Sequence, residues 1–268
     1  LWNYGRVAGG LTLLLFGLFQ KMVIADRIAI LANQVFDNYH MYGTFGLTVG
    51  AIAYTIQIYC DFASYSMMAF GVAKVLDFGI IENFQTPYFS RSMREFWRRW
   101  HISLSSWFRD YLYIPLGGSR CGKWRRYFNL MVTFLASGLW HGASWSFVAW
   151  GGLHGLYQII GYELRDVKDR INEQLHTKTD CLSYKLGQVL VTFGLTAFAW
   201  IFFRANSLGD AFGYIRRMFT RPDLWCLFNG ELYNLGLDRV EMNVLFGSLL
   251  VLLLADLVRY FKKQQLDA

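Results

Sequence analysis

The sequence is short of charge. Lys, Arg, Asp and Glu make up 17% of its 268 residues, where soluble domains average about 25%. Proline is almost missing: only Pro87, Pro115 and Pro222 occur, so few connections are long. Cys60, Cys121, Cys181 and Cys226 stand far apart with no C-x-x-C pair, and with the five histidines they give no zinc spacing. Free thiols and no metal site are expected. Gly142-Ala143-Ser144-Trp145-Ser146 lacks the second glycine of a nucleophile elbow, no phosphate loop or dinucleotide fingerprint occurs, and the acidic residues form no close pair. These absences speak against a zinc module, a serine hydrolase and a nucleotide-binding enzyme.

What is abundant is apolar. Hydrophobic residues are 54% of the chain and aromatics 18%, with a mean hydropathy of +0.26. Intrinsic disorder does not fit, and an integral membrane protein does. The net charge of +7 is concentrated: residues 91–126 hold eight Arg and Lys123 against only Glu95 and Asp110. A basic block between hydrophobic segments marks the cytoplasmic side of a bilayer. No nucleic-acid motif accompanies it, so nucleic acid is not an expected partner.

Several stretches are long enough to cross a bilayer core, which takes roughly 20 helical residues. The first is Val7–Ala29. Gly43–Val75 is too long for one span and carries Asp61 in its middle, so two segments meeting near Asp61 are expected. Tyr127–Tyr162 likewise reads as two segments, broken around Gly138–Gly142, while Leu186–Phe203 and Asn243–Phe261 are single spans. In lipid the backbone must satisfy its own hydrogen bonds, so the spans are helices. The expected fold is all-α: a multi-pass transmembrane bundle forming one domain over residues 1–268. Lys262 and Lys263 suit the same side as the basic block, whereas the loop from Glu163 to Lys185 carries five basic and five acidic residues and decides nothing. The chain starts at Leu1 without a signal-peptide pattern and is expected to be part of something longer.

Arg91–Phe108 is not a span. On a helical wheel Met93, Phe96, Trp97, Trp100, Leu104, Trp107 and Phe108 fall within about 120°, with Arg91, Arg94, Glu95, Arg98 and Arg99 on the other side. The expectation is one amphipathic helix on the cytoplasmic side, lying in the interface or packed under the bundle.

Ionisable groups at membrane depth raise a functional hypothesis. His141 lies in Ser137-Gly138-Leu139-Trp140-His141-Gly142, where small residues let a helix backbone or a substrate approach. It is either a general base for a hydroxyl or a core histidine bonded to a backbone carbonyl. His101 borders the apolar and polar faces of the amphipathic helix, which suits a cavity mouth or an ordinary interfacial histidine. His154, thirteen residues after His141, would sit about 220° around and 20 Å along a continuous helix; sharing a site needs the break the glycines permit. His40 and His176 fall in predicted loops. Asp61 has a neighbouring Arg or Tyr to orient, or a helix end to cap.

These residues resemble those of the membrane-bound O-acyltransferases, and among them the branch that acetylates bacterial alginate. The resemblance is carried by Gln57-Ile58-Tyr59-Cys60-Asp61-Phe62 with Tyr65-Ser66, by Glu82-Asn83-Phe84 with Pro87-Tyr88, and by Phe96-Trp97-Arg98-Arg99-Trp100-His101-Ile102-Ser103-Leu104-Ser105. It continues through Trp107-Phe108-Arg109-Asp110-Tyr111-Leu112-Tyr113-Ile114-Pro115-Leu116-Gly117-Gly118, Gly138-Leu139-Trp140-His141-Gly142 and Trp200-Ile201-Phe202-Phe203-Arg204-Ala205. It covers nearly the whole chain, most densely from Gln57 to Gly155.

The resemblance implies a helix bundle around a tunnel, with His141 as the catalytic histidine and His101 as the second functional position. It places Asp61, Tyr65, Arg98, Arg99 and Trp140 at the substrates. The implied reaction moves an acyl group, acetyl first, from a cytoplasmic thioester (acetyl-coenzyme A or an acyl carrier) to hydroxyls of an extracytoplasmic polysaccharide or a partner protein. The thioester is a co-substrate, and no bound cofactor is implied. A periplasmic or extracellular acetyltransferase- or esterase-like partner is expected, and the chain itself is expected to be a multi-pass protein of the inner (plasma) membrane. The arginines then steer an anionic donor or only set topology. The alternatives are D-alanyl transfer to teichoic acid and a non-catalytic membrane scaffold. Two departures stand out: Met67 replaces a usual acidic residue, and family members carry an N-terminal helical half that this chain lacks.

Overall fold

The computed structural model describes residues 3–223 and 235–266. The described residues form ten α-helices, with no strand among them. Three helical stretches are long and apolar enough to cross a membrane: Tyr4–Asp37, Leu182–Arg204 and Arg239–Lys262. The other expected crossings, Gly43–Val75 and Tyr127–Tyr162, are helical too, but richer in Tyr, Gly, Ser and Thr.

The chain divides into two compact units. The first joins residues 1–85 to residues 212–268. Here α1 (Tyr4–Phe19) runs through a π turn at Gln20–Ala25 into α2 (Asp26–Asp37), and both pack along α3 (Thr44–Val75). Small residues set that packing. A Cβ on Gly10 would fall 2.6 Å from the Gly71 carbonyl, and one on Gly17 would fall 2.9 Å from the Ser64 carbonyl. The two pairings run in opposite chain directions, so α1 and α3 are antiparallel at close backbone approach. The α9 helix (Leu208–Thr220) adds Tyr214, whose hydroxyl donates to the Leu47 carbonyl at 2.5 Å and whose ring stacks on Phe36. The last helix, α10 (Arg239–Leu266), brings Asp256 to the Tyr59 hydroxyl, which donates to its carboxylate at 2.9 Å.

Helix α3 corrects one expectation. It is one unbroken helix of 32 residues, not two segments meeting near Asp61. A carboxylate need not end a helix when another segment supplies its counter-charge, and Lys21 does so here at 2.5 Å.

The second unit spans residues 86–211. It holds α4 (Met93–Arg99), α5 (Ile102–Phe108), a π turn at Arg109–Tyr113, α6 (Lys123–His141), α7 (Trp145–Gln174) and α8 (Leu182–Arg204). The expected break in Tyr127–Tyr162 is present, but α6 passes through Gly138 and ends at His141, so the break is Gly142–Ser144. Ser144 starts α7 as its N-cap, accepting from the Ser146 amide. The α6–α7 hairpin is drawn tight by glycine: a Cβ on Gly138 or on Gly151 would fall inside the carbonyls of Phe147 or Phe134.

The single amphipathic helix over Arg91–Phe108 is likewise corrected. The structure has two seven-residue helices parted at Trp100 and His101, and His101 takes the left-handed conformation at φ 44°. Few residues other than glycine adopt that conformation without cost, though histidine is among those enriched there. A wheel drawn over an assumed helix has no means of showing the break. Ser92 caps α4 by accepting from the Glu95 amide, and Glu95 accepts in return from the Arg91 amide.

Candidate functional site

His101 and His141 fall within the second unit, and so do Arg98, Arg99 and Trp140. Asp61 and Tyr65 belong to the first.

His141 is the last residue of α6. Its Nδ1 lies 2.7 Å from the carbonyl oxygen of Ser137, one turn earlier. A carbonyl only accepts, so Nδ1 carries the proton and Nε2 the lone pair. That carbonyl bond belongs equally to a core histidine and to a base; what it adds is the tautomer a base requires. The ring stands among aromatic walls, with centroids at 4.9 Å from Trp140, 5.1 Å from Trp150 and 5.2 Å from Phe203.

Of the two jobs expected of the glycines beside it, they do the first, letting a helix approach. Gly138 admits the Phe147 carbonyl, and a Cβ on Gly142 would sit 2.7 Å from the Phe147 ring. They seat α7 against α6, and the space is taken by protein rather than by a substrate.

His101 stands at the junction of α4 and α5, with its ring 6.4 Å from that of Trp140. Trp140, itself exposed, therefore lies against both histidines. Burial, and then the nearby His141 ring, push the pKa of His101 down to about 4. It is neutral at pH 7, which suits a hydrogen-bonding role rather than a fixed cation.

The two arginines part ways. Arg99 donates from Nη2 to Glu95 at 2.7 Å and from Nη1 to the Thr86 hydroxyl at 3.2 Å. The first lies within α4, and the second ties α4 to the turn before it. Arg98 is exposed, as is Arg94.

In the first unit, Asp61 sits at mid-helix in α3, where Lys21 bridges it to Asp26 at 2.5 and 2.9 Å. Lys21, Asp61, Phe62, Ser64, Tyr65 and Met68 line an open cavity of about 400 Å³. Met67, standing where an acidic residue was expected, meets the Arg259 guanidinium through its sulfur at 3.5 Å.

Sequence reasoning passed over two groups. Lys21 was not singled out, because nothing local links it to a residue 40 positions on. His154 was weighed only by its distance from His141 along an assumed helix. It is wholly buried, and its Nδ1 accepts from the Trp97 indole at 3.2 Å. His40 and His176 are exposed, as their loop positions implied. Cys60, Cys121 and Cys181 are free thiols, while Cys226 lies outside the described residues.

Comparison with known proteins gives a consistent result. The model of the membrane-bound O-acyltransferase family matches residues 2–205. The chain is 37% identical over 263 residues to the probable alginate O-acetylase AlgI of Pseudomonas syringae pv. tomato, covering 98% of this chain and 48% of that protein. It is 37% identical to the peptidoglycan O-acetyltransferase of Helicobacter pylori over 81% of this chain and 40% of the relative. To the teichoic acid D-alanyltransferase of Streptococcus thermophilus it is 36% identical, over 49% of this chain and 34% of the relative. The chain thus spans about half the length of the curated relatives it matches.

Proposed function

The chain belongs to the membrane-bound O-acyltransferase family, and we propose that it transfers an acyl group, acetyl first, from a cytoplasmic thioester to hydroxyls of an extracytoplasmic polysaccharide. The observation that supports this reading is the Ser137–His141 bond, which leaves a lone pair on His141 Nε2, the tautomer a general base requires.

The acceptor hydroxyl gives its proton to His141 Nε2 as its oxygen bonds to the thioester carbonyl carbon. The tetrahedral intermediate then collapses, the C–S bond breaks, and the leaving sulfur takes the proton back from the imidazolium. A base held in the right tautomer contributes about 10²–10⁴-fold. Neutral His101 offers a second hydrogen-bonding group at the same Trp140, and Arg98, exposed like Arg94, is available to an anionic donor. Asp61 and Tyr65, beside the first unit's cavity, suit a polyhydroxyl acceptor, since a carboxylate accepts from hydroxyls and an exposed tyrosine ring stacks on a sugar face.

Polysaccharide acetylation is favoured over D-alanyl transfer because the alginate O-acetylase relatives align across 98% and 96% of the chain, against 49% for the D-alanyltransferase. A periplasmic or extracellular acetyltransferase- or esterase-like partner, with this chain in the inner membrane, completes the reading. Inverted membrane vesicles given labelled acetyl thioester on the exposed cytoplasmic face test it. Alkali-labile label on an enclosed acceptor supports the proposal. Transfer only of D-alanine from a carrier protein would replace it with the alternative.

A further inference from the structure

His154 plays no part in the mechanism above, yet it is the most enclosed histidine of the chain, with no exposed surface. Its Nδ1 accepts from the Trp97 indole N–H at 3.2 Å, so Nδ1 is unprotonated and the ring is the neutral Nε2–H tautomer. Among the described residues that Nε2–H meets no acceptor. A buried polar group left half-satisfied is a poor means of stabilising a fold, because an apolar ring of similar size would fill the space without an unmet donor.

Its neighbours suggest what the imidazole is for. Trp97 belongs to α4, the helix that ends at the Trp100–His101 junction. On the other side, the His154 ring stands 5.0 Å from Trp150, edge to face, and Trp150 stands 5.1 Å from His141 in the same manner. Trp97 and Trp150 also meet directly, at 5.8 Å. One imidazole on α7 therefore touches the helix that delivers His101 and the indole that forms a wall for His141. Phe96 lies parallel to the same ring, at 8° between planes and 6.2 Å between centroids.

We propose that His154 is a positioning residue: through its hydrogen bond to Trp97 and its contact with Trp150 it holds His101 and His141 in their mutual geometry. The inference rests on the reading of His141 as the base. Close-packed interiors transmit such constraints, since a displaced ring displaces its neighbours. Misplacement of about 1 Å at a catalytic group can cost on the order of 10²-fold in rate.

The test uses His154→Phe, which keeps a ring of similar size but removes the acceptor, and His154→Gln, whose amide oxygen accepts from Trp97. Trp97→Phe, alone and with His154→Phe, closes a double-mutant cycle. With the protein in membranes, His154→Phe is expected to lower kcat by about tenfold or more while the thioester KM stays within about twofold. His154→Gln should recover most of the loss, and the double variant should be no worse than either single one. A second readout needs no acyl transfer: carbethoxylation of His141 by diethyl pyrocarbonate, followed by mass spectrometry. Its rate should change severalfold in His154→Phe and return toward wild type in His154→Gln. Wild-type kcat and wild-type His141 labelling in His154→Phe would overturn the proposal, and so would a folded His154→Gln as impaired as His154→Phe. Absence of transfer by wild type, with His141 labelling still dependent on residue 154, would defeat the transferase reading and leave the positioning role standing.

Discussion

Lys21 reaches from the π turn between α1 and α2 to the carboxylate of Asp61 in the middle of α3, at 2.5 Å, and meets Asp26 at 2.9 Å. The pair allows a carboxylate to stand within a long apolar helix. Lys21→Met alone should therefore destabilise the protein modestly by leaving Asp61 without its cation. Lys21→Met with Asp61→Leu should recover much of that loss, with a coupling of about 0.2–1 kcal/mol because both side chains are partly exposed. Thermal unfolding in detergent measures the cycle, and additive losses would show that the pair is not a unit. If Asp61 also serves the acceptor, the double variant keeps its fold while its acceptor KM rises.

Arg98 and Arg99 should separate in the same way that their surroundings do. Arg99→Gln loses the Glu95 and Thr86 bonds and is expected to cost about 1–3 kcal/mol of stability. Arg98→Gln should leave the unfolding temperature unchanged and raise the thioester KM. A lowered melting point for Arg98→Gln with normal KM would return it to a topological role.

The apolar helices and the family were legible in the sequence, because they depend on composition, length and short motifs. What was not legible depends on pairs far apart in the chain. The break expected at Asp61 does not occur, since its counter-charge lies on another helix. The break at His101 does occur, without a glycine or proline to announce it. The role of Gly138 was half readable: a close approach was foreseen, but only the structure shows that the Phe147 carbonyl fills it. His154 could be assigned nothing until its bond to Trp97, 57 positions away, was seen.

Gly138 provides a further contrast. An added methyl has no space against the Phe147 carbonyl, so Gly138→Ala should cost about 1–3 kcal/mol through overpacking. Gly187 of α8 meets nothing within 4 Å of an added Cβ, and Gly187→Ala should be neutral or stabilising by up to about 1 kcal/mol. Equal effects of the two substitutions on thermal stability would contradict the tight α6–α7 seam.

His101 predicts a dependence on pH. Its folded pKa, pushed down to about 4 by burial and then by His141, lies below its ordinary value of 6.5. Between those values the unfolded chain binds more protons than the folded one, so stability rises with pH. The contribution is complete above about pH 6.5 and is lost as pH falls toward 4. Asparagine tolerates the left-handed backbone, so His101→Asn should keep the junction and flatten this part of the profile. Unfolding temperatures at pH 7.5 and 4.5 compare the two proteins, and an identical slope in both would exclude His101 as its source.

The central claim is that His141 accepts the acceptor's proton at Nε2, held in that tautomer by the Ser137 carbonyl. The most direct measurement is acyl transfer by His141→Gln, beside its unfolding temperature. Glutamine retains hydrogen bonding but cannot take a proton at neutral pH. The account predicts a folded protein whose transfer falls by about 10²-fold or more. A His141→Gln protein that transfers at the wild-type rate would contradict it.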